Sequence, residues 1–339
     1  MLNKVYTLYP EVENFHHGFL KVDDLHTIYY ELSGNPLGVP VIFLHGGPGS
    51  GCNSTQRRFF DPAYYCIILF DQRGCGKSKP QGATQQNTTD DLVCDMEAIR
   101  KKLNINQWLV FGGSWGSTLA ICYALKYPNE VSGLILRGVF LSRLSELNWF
   151  LGDVAHFYPE VWHALITYLP KDAQHNVLDA YAELIFKEDT TINIPAAEQW
   201  NAFENAIMRL IPNAPKSEEM PEGANITLDA ALKTKEDQAA LEVARARVQI
   251  HYIQHHCFVD GEKMLTDCKT LAHIPTIIVQ GRYDMVCPPI SAWELSCVMP
   301  HAAFYMVQDA GHSAMETGIT SALIAATENF KTHTPVINL

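Results

Sequence analysis

The stretch Val110-Phe111-Gly112-Gly113-Ser114-Trp115-Gly116-Ser117 decides how this chain is read, because it sets a serine between two glycines at Gly-x-Ser-x-Gly spacing. The apolar run Trp108 to Phe111 before it reads as a buried strand, and Ser117 to Tyr127 after it reads as a helix. A strand that turns this sharply into a helix strains the serine backbone, and small residues are needed two before and two after it. Gly112 and Gly116 meet that need. The strain would hold the Ser114 hydroxyl proud of the sheet, with the positive end of the following helix beneath any oxyanion that forms. The competing reading is a glycine-rich turn with a bystander serine.

Outward from this turn, strand and helix signals alternate. His17 to Val22 and Thr27 to Leu32 read as a hairpin, while Val39 to Leu44 and Tyr64 to Phe70 are continuous apolar runs of the kind covered on both faces. Thr89 to Leu103 carries Leu92, Val93, Met96 and Ile99 at helical spacing and basic residues at its end. A further buried strand is expected over Val131 to Leu136. Such alternation predicts an α/β fold, a mostly parallel, doubly wound sheet flanked by helices. From about Ser145 the strand signal stops. Trp149, Phe150, Phe157, Tyr158 and Trp162 lie in one helical stretch, Trp200, Phe203 and Met208 in another, and Leu241 to His256 reads as a third. The segment from Ile211 to Asp229 is expected to be a loop. Strands return at Pro275 to Val279 and Ala303 to Val307, with helices at Ile290 to Val298 and Thr317 to Lys331. The expected domains are therefore a catalytic unit over 1–144 and 267–339 and an inserted all-helical cap over 145–266.

The 339 residues suffice for a large core, and 47% hydrophobic with 18% charged residues suits a globular chain. A formal charge of −12 with no basic block argues against nucleic acid and anionic membrane partners. No apolar leader is visible at Met1 to Tyr6, and nine scattered cysteines without C-x-x-C pairs suit reduced thiols, so a cytoplasmic location is expected. The sequons at Asn53, Asn87 and Asn225 would then be unused.

A serine hydroxyl needs a base to take its proton and a third group to orient that base. Asp284, in Gly281-Arg282-Tyr283-Asp284, and His312, in Asp309-Ala310-Gly311-His312-Ser313, each follow an expected strand and open on the sheet edge that carries Ser114. The order serine, acid, histidine is that of α/β-hydrolases. Ser114 is the candidate nucleophile, His312 the base and then acid, and Asp284 its orienter. His45-Gly46-Gly47-Pro48-Gly49 follows another strand and has the form of an oxyanion loop. Gly47 and Trp115 are the candidate backbone donors.

Together with these motifs, Asp71-Gln72-Arg73-Gly74-Cys75-Gly76-Lys77-Ser78, Leu136-Arg137-Gly138-Val139-Phe140 and Gly281 to Cys287 make the chain resemble the proline iminopeptidases, prolyl aminopeptidases of α/β-hydrolase fold, over nearly its full length. The resemblance implies release of N-terminal proline from short peptides without metal or organic cofactor. It also implies a helical cap whose acidic groups hold the substrate amine. By that resemblance Glu204, in Trp200-Asn201-Ala202-Phe203-Glu204, is the candidate amine anchor, Phe140 and Phe150 wall the pyrrolidine pocket, and Arg137 and Cys287 line it. One departure stands out. Where the family usually has a second glutamate, Arg247-Val248-Gln249-Ile250-His251-Tyr252 offers Gln249, whose amide oxygen can accept a bond but carries no charge. Weaker or altered N-terminal selectivity is expected, and Glu242, two turns earlier, stands near the same face.

Three signals are set aside. Gly76-Lys77-Ser78 lacks the upstream glycine of a phosphate loop, Asp71 standing there. His251 and His255 have the spacing of a zinc-helix pair but Tyr252 where the catalytic glutamate belongs. Cys75 and Cys287 lie in motif loops without the strand-turn-helix setting of a nucleophile. An esterase or amidase of the same fold, and a non-catalytic binding protein, remain competing readings. The aromatic cap leaves homo-oligomer formation open.

Overall fold

The computed structural model describes residues 5–211 and 234–333. Eight strands form one sheet: β1 (Asn14–Lys21), β2 (Thr27–Gly34), β3 (Val39–Leu44), β4 (Tyr65–Phe70), β5 (Trp108–Gly113), β6 (Val131–Arg137), β7 (Thr276–Gly281) and β8 (Ala303–Val307). Their order is β1-β2-β4-β3-β5-β6-β7-β8, antiparallel over the first two pairings and parallel from β4 onward. Every residue of β4, β5 and β7 is buried, which is why those runs show no polar alternation.

The two faces have separate cores. Ile42, Leu44, Val110, Leu134, Leu136 and Ile278 pack beneath helices α1 (Thr89–Lys102), α2 (Trp115–Lys126) and α9 (Pro289–Val298). Val41, Phe43, Leu109, Phe111, Ile135 and Ile277 pack against α10 (Thr317–His333) and the Phe59-Phe60 turn. The two sets alternate along each strand, as the two-residue side-chain period requires. Thr88 and Asp91 close a capping box at the start of α1, and Arg100, Lys101 and Lys102 lie in its last turn.

Between β6 and β7 the chain forms α3 (Leu144–Phe150), α4 (Pro159–Thr167), α5 (Val177–Ile185), α6 (Thr190–Ile207), α7 (Lys235–Gln254) and α8 (Gly261–Asp267), with no strand among the described residues. Trp200, Phe203, Tyr181, Phe150, Ala246 and Ile250 give these helices a core of their own. The first aromatic stretch is not one helix. Gly152 has non-helical geometry and Pro159 opens α4, so Trp149 and Phe150 fall on one helix and Trp162 on the next. Helix α7 begins six residues before Leu241, where Thr234 and Asp237 form a capping box. Apart from Ile211, the loop expected over 211–229 lies outside the described residues, as does Asn225. Asn53 and Asn87 are buried and hydrogen-bonded.

Candidate active site

Ser114 stands between β5 and α2 with φ 57° and ψ −129°, a conformation L-residues rarely adopt. The neighbouring glycines are required by contact. A Cβ on Gly112 would come within 2.1 Å of Gly116 O, and one on Gly116 within 2.2 Å of Leu44 O. The Ser114 amide donates to Arg137 O at 2.8 Å, fastening the turn to β6.

The loops after β7 and β8 bring Asp284 and His312 together. His312 Nδ1 lies 2.7 Å from Asp284 Oδ2, and both side chains are essentially buried. The other carboxylate oxygen accepts the amides of Val286 and Cys287 at 3.0 and 2.8 Å. Gln280 Nε2 adds a bond of 3.1 Å to Oδ2 and holds Cys287 O, while its Oε1 accepts the Val139 amide. Such a saturated carboxylate fixes the imidazole with its proton on Nδ1. The serine half of the constellation is open. Nε2 faces Arg137 Nη1 at 3.2 Å, no hydrogen bond joins it to Ser114, and the Ser114 hydroxyl rests 4.0 Å from the Cys287 thiol. Burial pushes that thiol well above its usual pKa, so it is a neutral wall of the site.

The loop after β3 is held from below. His45 Nδ1 lies 3.0 Å from Gly46 O, and its Nε2 accepts the Gln72 amide at 3.1 Å. Gln72 also bonds His45 O and receives Trp115 Nε1 at 2.8 Å, which ties the two candidate oxyanion segments together. Gly47 has φ 111°, in the region open to glycine. The Trp115 amide is the first of α2 and has no acceptor within its own helix.

Comparison with known proteins bears on the same elements. Residues 39–319 match the family model described as alpha/beta hydrolase fold. A probable proline iminopeptidase of Leptolyngbya boryana is 45% identical over 95% of this chain and 96% of its own. The proline iminopeptidase of Arabidopsis thaliana is 44% identical over 96% of this chain and 82% of its own. That of Neisseria gonorrhoeae is 42% identical over 95% and 98%. The chain belongs to the proline iminopeptidase family of the α/β hydrolases. Among solved structures, an alpha/beta hydrolase enzyme from a Medee basin deep-sea metagenome library superposes with a TM-score of 0.64 at 16% identity, covering 95% of this chain and 99% of that one. This last likeness concerns the fold.

A cavity of about 410 Å³, counting its open mouth, joins the sheet edge to the helical insertion. Gly47, Ser114, Phe140 and Cys287 line it from the sheet side, and Phe150, Glu204 and Gln249 from the helical insertion. Phe140, Phe150, Glu204, Gln249 and Cys287, expected in the pocket from the resemblance, therefore meet the candidate nucleophile in one space. Arg137 is not among the lining residues; it donates to His312 O at 2.9 Å and flanks the imidazole. Gln249 is oriented differently from the sequence expectation. Its Oε1 accepts Trp200 Nε1 at 2.6 Å, so its Nε2 points to Glu204 Oε1 at 3.0 Å and Gly47 O at 3.2 Å. Because indole N–H can only donate, the amide oxygen is turned to the tryptophan and the amide nitrogen toward the site. Glu242 bonds Asn201 and does not line the cavity.

Sequence reading missed Gln280, Arg245 and Glu146. A glutamine ending the apolar run Thr276 to Val279 was the available signal for the first. Arg245 Nη2 lies 2.6 Å from Glu204 Oε2. Glu146 lines the cavity but is occupied by the Leu141 and Arg143 amides and the Ser291 hydroxyl, and burial raises its pKa. Elsewhere, His251 bonds Asn87 O and His255 bonds His251 O.

Proposed function

We propose that this chain releases N-terminal proline from short peptides by acyl transfer through Ser114. The observation that carries the reading is the shared cavity, in which a strained serine, the Gly47 loop and the Glu204 carboxylate face one space beside the Asp284-His312 pair. The names of relatives above 40% identity over nearly the whole chain support the substrate class.

In this mechanism the peptide's amino terminus enters beside Glu204, and its five-membered ring lies between Phe140 and Phe150. The imidazole turns from Arg137, and His312 Nε2 takes the Ser114 proton as Oγ attacks the prolyl carbonyl. Catalytic contacts of this kind are often long before substrate binds. The Gly47 and Trp115 amides hold the oxyanion. His312 then protonates the departing peptide amine, leaving a prolyl ester on Ser114, and water activated by the same nitrogen releases proline. No step calls on a metal or organic cofactor. We take 145–266 as a cap that closes this site and 1–144 with 267–339 as the catalytic unit. Nine free thiols spread through the fold support a cytoplasmic setting. Among the described residues no helix is long and apolar enough to cross a membrane.

The test is turnover of prolyl-β-naphthylamide and its loss in Ser114→Ala, by roughly 10⁴-fold or more. Covalent labelling of Ser114 by a fluorophosphonate without any prolyl turnover would instead favour an esterase or amidase, the reading that Gln249 keeps in view.

A further inference from the structure

Both oxygens of Glu204 already have protein donors. Arg245 Nη2 meets Oε2 at 2.6 Å and Gln249 Nε2 meets Oε1 at 3.0 Å, and the Arg245 and Glu204 side chains are only 11% and 7% exposed. Arg245 and Gln249 lie one turn apart on α7, so a single helix face delivers both contacts. Glu204 and Gln249 line the cavity and Arg245 does not, which places the guanidinium behind the carboxylate. A Cβ on Gly49 would lie 2.5 Å from Arg245 O, so the helix backbone at this point is packed on the glycine loop that carries Gly47.

A carboxylate with a cation at contact distance attracts a second cation less, because the arriving ammonium is also repelled by the guanidinium. Little salt reaches a buried pair to screen that repulsion. Gln249 brings no charge and turns N–H groups, not oxygen, toward Glu204. We propose that Arg245 is a specificity-setting positioning residue. It weakens selection for a protonated terminal amine, so that Ser114 also accepts acyl groups of proline's size that lack the amine. The proposal rests on Glu204 being the amine anchor of the proposed aminopeptidase.

Two coumarinylamides test it, prolyl and cyclopentanecarbonyl, which share the leaving group and ring size and differ in the ring nitrogen. The wild-type ratio of their kcat/KM values should lie within about tenfold of one, since one cation of the anchoring pair is already supplied. Arg245→Met should raise the ratio about tenfold or more through a lower KM for the prolyl substrate, and Arg245→Lys should keep it near wild type. An unmoved ratio in Arg245→Met, or an equal rise in Arg245→Lys, overturns the proposal. Should the methionine variant fold poorly, competitive inhibition of the wild type by L-prolinamide and cyclopentanecarboxamide decides. Similar constants support the proposal, and a preference of about a hundredfold for the amine overturns it. Prolyl turnover with an unmoved ratio sinks this inference alone. Cleavage of the cyclopentyl substrate with none of the prolyl one sinks the aminopeptidase reading, and this inference with it.

Discussion

Arg137 Nη1 lies 3.2 Å from His312 Nε2, on the nitrogen that must receive the serine proton. Arg137 Nη1 also donates to His312 O at 2.9 Å, so one guanidinium holds the histidine by ring and backbone together. Because His312 Nδ1–H donates to Asp284, Nε2 is left as an acceptor, and arginine, which can only donate, suits it. The imidazole is thus held between Asp284 and Arg137. Arg137 is itself wedged at the turn, since a Cβ on Gly113 would come within 2.6 Å of its Nη2.

Arg137→Met should therefore lower kcat by about tenfold to a hundredfold, the range expected on losing hydrogen bonds from a charged group. KM should move less, because Arg137 lies outside the cavity lining. Steady-state kinetics on a prolyl amide separates the two. A rise in kcat would mean that the arginine restrains His312 more than it places it.

Gly138 packs directly on the catalytic pair. It has φ 54°, and a Cβ there would lie 3.0 Å from His312 Cε1, 3.1 Å from Nδ1 and 3.3 Å from Asp284 Oδ2. Gly138→Ala should displace the imidazole by a few tenths of an ångström or more and lower kcat by about a hundredfold. Left-handed backbone strain should also cost about 1–2 kcal/mol of stability. Kinetics beside a denaturant melt checks both; full activity with unchanged stability would refute the contact.

His45 links pH to the oxyanion loop. Complete burial lowers its pKa from 6.5 to about 4, and its Nε2 accepts the Gln72 amide, a bond that protonation would break. The folded state thus binds this proton more weakly than the unfolded chain does. The contribution to stability is present above about pH 6.5 and is lost as the pH falls toward 4, by up to about 3 kcal/mol. Burial raises Asp71 and Asp95 to about 6, and these give the opposite slope. The histidine contribution is therefore read as a difference. His45→Gln should lose less stability than wild type between pH 7 and pH 5 in thermal melts, and parallel curves would show that His45 contributes nothing.

The fold was legible because buried parallel strands and capped helices write themselves as apolar runs and 3.6-residue periods. The positions of Ser114, Asp284 and His312 followed from strand ends. What sequence could not supply was direction. Nothing in Arg137 says that its guanidinium lies against the histidine ring and outside the pocket, since that depends on Gly113 and Gly138 leaving room. Gln249 likewise offers an oxygen and a nitrogen, and only the Trp200 indole, from another helix, decides which faces Glu204. Arg245 was invisible because its meaning arises from pairing across 41 residues between α6 and α7.

The helical insertion also grips the histidine loop. The His312 and Ser313 amides both donate to Met208 O at 3.0 Å, just past the end of α6. Glu316 completes the junction, its Oε1 accepting the Leu210 amide at 3.0 Å and its Oε2 the Gly311 amide at 2.8 Å. Burial raises the Glu316 pKa, and the two amides act against that rise. Glu316→Gln keeps the shape but turns one oxygen into a donor, leaving one of the two amides without its acceptor at a cost of about 1–3 kcal/mol. The loop carrying His312 should loosen from the insertion, lowering kcat by roughly tenfold and slowing fluorophosphonate labelling of Ser114 by a similar factor. Labelling matters because it reports proton removal from the serine without needing the amine subsite. Wild-type labelling with reduced peptide turnover would place the effect of Glu316 on substrate binding under the insertion, and not on the placement of His312.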